Sequence, residues 1–136
     1  MLIDLVLPYP PTVNTYWRRR GSTYFVSKAG ERYRRAVALI VRQQHLKLSL
    51  SGRLAIKIIA EPPDKRRRDL DNILKAPLDA LTHAGVLMDD EQFDEINIVL
   101  IKTMYIIDTI FKHGKSINTY TKGKALIFFI IKTIKS

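Results

Sequence analysis

The stretch Arg53–Ala60, RLAIKIIA, constrains the fold more than any other part of the chain. Leu54, Ile56 and Ile58 alternate with Ala55 and Lys57, the period of two of a strand with one buried and one wet face. Such a strand needs neighbours to be stable. The chain offers four: Leu2–Leu7, Thr23–Val26 (TYFV), Glu95–Lys102 (EINIVLIK) and a closing run from Ala125 to Lys132. Two helical segments lie between them. Ser27 caps the first, with Glu31 in its first turn where the helix dipole favours an acid. It runs to about Leu46, with Ala29, Tyr33, Ala36, Val37, Ile40 and Val41 on one apolar stripe and Arg32, Arg35 and Arg42 facing away. The second, DLDNILKAPLDALTHAG, starts at Asp69 and is stopped by Gly85. Pro77 within it removes a backbone donor and predicts a kink or a delayed start. The order β-β-α-β-α-β-β predicts a single α+β domain over residues 1–136, a mixed sheet with two main helices. Met104–Thr121 takes no assignment and stands out as an atypical segment.

With 136 residues and 46% apolar content the chain has the means to build a core. It contains no cysteine, which excludes disulfides, thiolate ligands and cysteine nucleophiles. Its longest apolar run, Ala125–Ile131, falls far short of the ~20 residues that cross a bilayer. Asp4 and Pro8 come too early for a signal peptide, so a soluble cytoplasmic protein with no membrane partner is expected. The net charge of +10 points to a polyanion, most often nucleic acid. Every arginine lies between Arg18 and Arg68, all but Arg42 and Arg53 in clusters at 18–20, 32–35 and 66–68, and the chain beyond Glu95 carries lysines and one acid, Asp108.

One of those clusters sits in RRRDLDN, residues 66–72, directly against two aspartates spaced one residue apart. Three carboxylates, Asp69, Asp71 and Asp90, would suit Mg²⁺ (or Mn²⁺), a hard cation that keeps waters for a phosphate to displace. Asp90, however, follows the helix that Asp69 and Asp71 precede. A regular helix of this length is ~20 Å long, so joining its two ends calls for a bent helix or a second subunit. Lys75, four residues after Asp71, shares its helical face and can offset charge developing on a phosphate. Arg66, Arg67 and Arg68 can grip neighbouring phosphates in bidentate fashion. No histidine or tyrosine in the stretch can act as general base, which leaves a metal to activate the water. A plainer account also covers these residues. Asp69 or Asp71 would then be an N-cap, Asp89 and Asp90 turn residues, Lys75 and Asp79 a surface ion pair, and Asp79 structural. His45, His83 and His113 lack ligand spacing. Tyr9, Tyr16 and Trp17 beside Arg18, Arg19 and Arg20 suit base stacking and core packing equally.

The string DKRRRDLDNILKAPLDALTHAGVLMDDEQ resembles the RusA-type Holliday junction resolvases. LPYPPTVNTYW, SKAGERYR and the strand before PPDKRRRD fall in that family's order, so that the resemblance covers roughly residues 1 to 103. It implies a homodimer that binds branched DNA, the four-way junction, and nicks two strands symmetrically using Mg²⁺ in recombination and repair. The family's acidic cluster falls on Asp69, Asp71 and Asp90, its catalytic lysine on Lys75, the arginine preceding its first aspartate on Arg68 and its N-terminal asparagine on Asn14. A dimer whose sites lie near the interface would also remove the distance between Asp69 and Asp90. The departure is C-terminal: Met104–Thr121 intervenes, and only TKGKALIFFIIK matches the expected ending. The alternative is therefore a junction-binding basic protein with impaired or no cleavage, and beyond it a basic RNA-binding domain.

Overall fold

The computed structural model describes residues 2–62, 70–100 and 126–134. In chain order these form β1 (Leu2–Pro8), α1 (Val13–Tyr16), β2 (Trp17–Arg20), β3 (Thr23–Val26), α2 (Lys28–Gln43), β4 (Leu54–Ala60), a 3-10 turn (Leu70–Ile73), α3 (Lys75–Ala84), a second 3-10 turn (Asp90–Gln92), β5 (Phe93–Leu100) and β6 (Leu126–Thr133). The α+β class and mixed sheet hold. Two additions go beyond the sequence reading. The proline loop ends in the single turn α1, and β2 pairs with β3 in a ribbon outside the main sheet. The atypical segment Met104–Thr121 lies outside the described residues.

The main sheet runs β1-β6-β4-β5. β6 is antiparallel to both β1 and β4, whereas β4 and β5 are parallel and joined through α3. Register partners share a face, so Ile3, Ile131 and Ile56 form one row and Leu5, Phe129 and Ile58 the next. Both rows are buried in one cluster with Tyr33, Val37 and Val41 of α2 and Leu78 and Leu81 of α3. Asp4, Ala55, Lys57 and Lys132 alternate onto the wetter face, as β4's pattern predicts.

Helix α2 starts as its sequence dictates. The Ser27 hydroxyl accepts from the Gly30 amide at 3.0 Å and donates to the Thr15 carbonyl, tying the cap to α1. Gly30 sits where α2 crosses the α1–β2 corner. A Cβ there would lie 2.5 Å from Val26 Cγ1 and 2.7 Å from the Tyr16 carbonyl oxygen. The stripe is narrower than expected, with Tyr33, Val37 and Val41 buried and Ala29, Ala36 and Ile40 at its margins.

Helix α3 is shorter than the sequence pattern suggested, and Pro77 explains why. A helix beginning at Lys75 places Pro77 in its first turn, where amides have no intrahelical acceptor and a missing N–H costs nothing. Residues 70–73 take the tighter 3-10 form instead, with Ile73 buried as the anchor. Gly85 ends α3 in the left-handed region, φ 87°, and reverses the chain.

Gly30→Ala is expected to lower stability by about 1–3 kcal/mol, because part of the obstruction is backbone and cannot rotate away. Chemical denaturation measures this, and an unchanged midpoint would show that α2 stands off from the corner.

Candidate active site

Ten residues of α3 rise only about 15 Å. The six steps from Ala84 to Asp90 can extend to ~20 Å, so a chain reversed at Gly85 can run back along the helix it has left. It does so, and Lys75 Nζ, at the start of α3, lies 3.9 Å from Asp90 Oδ2. The expected need for a bent helix or a second subunit is corrected: within one chain Asp90 already reaches the N-terminal end of α3. That end follows directly on the 3-10 turn carrying Asp71, which lies against α1 and β5. Asn14 is an exposed residue of α1 and so belongs to an element bordering this turn. Asp69, Arg66, Arg67 and Arg68 lie outside the described residues.

A buried glutamine holds the Asp89–Asp90 turn in place. Gln92 Oε1 accepts from the amides of Met88 and Asp89, at 2.9 and 2.8 Å, and its Nε2 donates to the carbonyls of Leu50 and Gly52, at 2.8 and 2.9 Å. All four bonding positions of the amide are used, so the turn is stapled to the loop before β4. Sequence reasoning passed over Gln92. The signal available was a capping-box spacing, Asp89-x-x-Gln92, which the structure realises.

The two aspartates of the turn are pushed apart in acidity. Asp89 is held below the usual carboxylate range, first by the Glu91 amide and then by its bond with Asp90. Asp90 is raised, first by desolvation and then by its bond to Asp89, with Lys75 opposing and the charge of Asp79 adding to the rise. The Lys75–Asp90 pair is mostly open, with side chains 65% and 38% exposed. It is therefore a weak pair, which leaves the ammonium available to another anion.

Among the described residues no group of three or more acidic or histidine side chains gathers into a metal cage. The chemistry of the donors nevertheless fits a hard divalent cation. The Asp90 carboxyl is raised by desolvation and by its bond to Asp89. Glu61, directly after β4, has a carboxyl raised by burial and an Oε2 shut from solvent without a hydrogen-bond partner. Oxygen donors in that state suit Mg²⁺.

The surface ion pair foreseen between Lys75 and Asp79 does not form. Asp79 Oδ2 accepts from Arg34 Nε at 2.9 Å and from the Tyr16 hydroxyl, while Lys75 turns to Asp90. The structural role foreseen for Asp79 does hold.

The basic ribbon β2–β3 presents Arg18, Arg19 and Arg20, all exposed. Its two-residue turn has Gly21 at φ 62°, as the primed turns of tight hairpins require. Arg19 lies over the Tyr24 ring and Arg20 over the Phe25 ring, 5.6 and 5.9 Å from the centroids. Tyr16 is fully buried, and Tyr9 and Trp17 pack against the core, so core packing wins for all three. Among the described residues, the aromatics left in reach of a ligand are Tyr24 and Phe25, 66% and 42% exposed.

Residues 8–108 match the family model of the endodeoxyribonuclease RusA. The chain belongs to the RusA family. It is 60% identical over 96 residues to the crossover junction endodeoxyribonuclease of Enterobacteria phage HK97, covering 71% of this chain and 80% of that protein. To the RusA proteins of Escherichia coli K12 and Enterobacteria phage 82 it is 42% and 41% identical, over 71% and 70% of this chain and 80% and 79% of theirs. The RusA match takes in α1, the ribbon, both long helices and the Lys75–Asp90 contact, and ends before β6.

Because Asp90 is raised, its ionised form is penalised in the folded protein and its ionisation costs stability as pH rises through its folded pKa. In metal-free buffer Asp90→Asn is therefore expected to melt higher than wild type at neutral pH. The gain should disappear at acid pH, where Asp90 is protonated in both the folded and the unfolded chain. Melting curves across this pH range decide it, and a pH-independent difference would refute the charge origin.

Proposed function

We propose that this chain is a Mg²⁺-dependent, structure-specific endodeoxyribonuclease that acts as a homodimer and resolves four-way DNA junctions by paired symmetric nicks. The observation that carries the proposal is the meeting of Lys75 with Asp90 beside the turn bearing Asp71, in a member of the RusA family. Relatives of this chain are named as crossover junction endodeoxyribonucleases.

Asp69, Asp71 and Asp90 would hold the Mg²⁺, which would polarise the scissile phosphate and acidify the attacking water. Lys75, mostly exposed and loosely paired, leaves Asp90 for the phosphate and offsets charge on its non-bridging oxygens as they gain it. Arg66, Arg67 and Arg68, with Asn14, grip the flanking phosphates. Arg18, Arg19 and Arg20 reach a neighbouring arm, where Tyr24 and Phe25 offer faces to bases unstacked at the branch point. A two-fold dimer presents two such sites to two strands related by the junction's own symmetry.

A synthetic mobile four-way junction, with and without Mg²⁺, tests the whole reading. Paired nicks only with the metal are expected. Binding without nicking would establish the junction-binding alternative, and equal affinity for linear duplex would refute structure specificity. Lys75→Ala is expected to slow cleavage about 10²-fold or more with junction binding little changed. Single-turnover rates at saturating protein measure this, and unchanged cleavage would return Lys75 to the solvated surface.

Junction affinity should fall steeply with salt, with a log–log slope of roughly −0.9 for each phosphate neutralised. Replacing Arg18, Arg19 and Arg20 by glutamine should flatten that slope by about three units. A titration from low to moderate salt reads it directly, and an unaltered slope would remove the ribbon from the DNA interface.

A further inference from the structure

Among the carboxylates whose side chains the structure describes, two from different elements bear on Lys75. Asp79 is four residues on along α3 and shares its face, the spacing at which helical ion pairs form by default. Asp90 comes from the returning chain. Among the described residues the ion pair formed is with Asp90, at 3.9 Å.

What occupies Asp79 is a three-membered network drawn from three helices. Tyr16 ends α1, Arg34 projects from the middle of α2, and Asp79 lies one turn into α3. Arg34 Nε bonds both the Asp79 Oδ2 and the Tyr16 hydroxyl, at 2.9 and 3.0 Å, and the Tyr16 hydroxyl donates to that same Oδ2. Arg34 and Asp79 are 19% and 26% exposed, so the pair is shielded far better than Lys75 and Asp90. Bonding to Asp79 raises the Arg34 guanidinium above its usual range, and burial followed by the bond to Asp79 raises the Tyr16 hydroxyl. The charge of Asp79 is nonetheless felt at Asp90. If Arg34 did not compensate it, Asp79 would draw Lys75 along the helix and add to the repulsion at the aspartate turn.

We infer that Tyr16 and Arg34 are positioning residues that sequester Asp79, so that Lys75 is presented to Asp90 and the substrate phosphate rather than captured by its helical neighbour. Sequestering works in two ways. It cancels a carboxylate one turn from the site, and it fastens the first turns of α3 to α1 and α2, fixing where Lys75 emerges. The inference rests on the reading of Lys75 as part of the cleavage site, and deepens it.

The test is a cycle of full-length variants read by single-turnover cleavage of a four-way junction in Mg²⁺, with junction affinity and melting measured on each. Arg34→Gln leaves Asp79 charged and uncompensated. Its cleavage rate should fall by about tenfold, the scale of coupling between groups in contact, with affinity changed much less. Asp79→Asn keeps an acceptor for Tyr16 without the charge and should stay within about threefold of wild type. The combination Arg34→Gln with Asp79→Asn should cleave at least about fivefold faster than Arg34→Gln alone, because the competing carboxylate is gone. A purely structural network predicts the reverse, a double variant no faster than the single one and less stable. That result, or a wild-type rate for Arg34→Gln, overturns the inference. Lys75→Ala run alongside separates the two levels. If it still cleaves, the reading of the site fails. If it is inactive while Arg34→Gln cleaves normally, only the role of the network fails.

Discussion

The insertion of β6 between β1 and β4 is the pairing on which the rest of the structure depends. β4 bonds β5 on one side through the local crossover that carries α3, but β1 joins the sheet only through β6. Without Leu126–Thr133, the Ile3–Leu5–Leu7 face has no continuous sheet to share with Ile56 and Ile58, and α2 and α3 have half a floor to pack on. The last described strand thus completes a core begun by the first. Pairings of such long sequence separation are entropically expensive to close and make a mixed sheet slow to assemble. Whatever lies between Leu100 and Leu126 must deliver β6 in register, since a slip by one residue would turn Phe129 and Ile131 out of the core.

Around the candidate site the protein tolerates local instability and confines it. Asp90 is desolvated beside a second aspartate and keeps its proton more tightly than a free carboxyl. Lys75 is held only by a long, open contact. Neither feature stabilises the fold much, and charged groups in such settings mark a candidate functional site. The surrounding supports are of the opposite kind. Gln92 satisfies all its bonding groups in a buried setting, and Arg34, Tyr16 and Asp79 form a shielded network. Unrewarding charges are carried on well-satisfied scaffolding.

Charge is also distributed unevenly over the molecule. The arginines of the ribbon stand exposed with two aromatic rings beneath them, whereas Arg34 is drawn inward. Residues of one type in one half of the chain therefore do different work. Arginine suits both tasks because its planar fork binds phosphates and carboxylates alike and stacks on rings.

Much of this was legible in the chain itself. The period of two in β4, the apolar stripe of α2, the Ser27 cap and the Gly85 stop are local physics, and each appears where the residues put it. The RRRDLDN string and its relation to Lys75 and Asp90 named the candidate site through a family resemblance. The shortening of α3 could be anticipated from Pro77 in kind but not in extent, because the first-turn position that makes a proline harmless depends on where Ile73 finds a buried seat. Tertiary structure alone decided three things: that β6 enters the middle of the sheet, that the chain after Gly85 doubles back to bring Asp90 to Lys75, and that Asp79 bonds Arg34 and Tyr16. The reason is common to all three. Spacing along a helix or strand fixes which side chains share a face, but which partner a group takes is settled by what packing places opposite that face, and nothing in the local sequence encodes it.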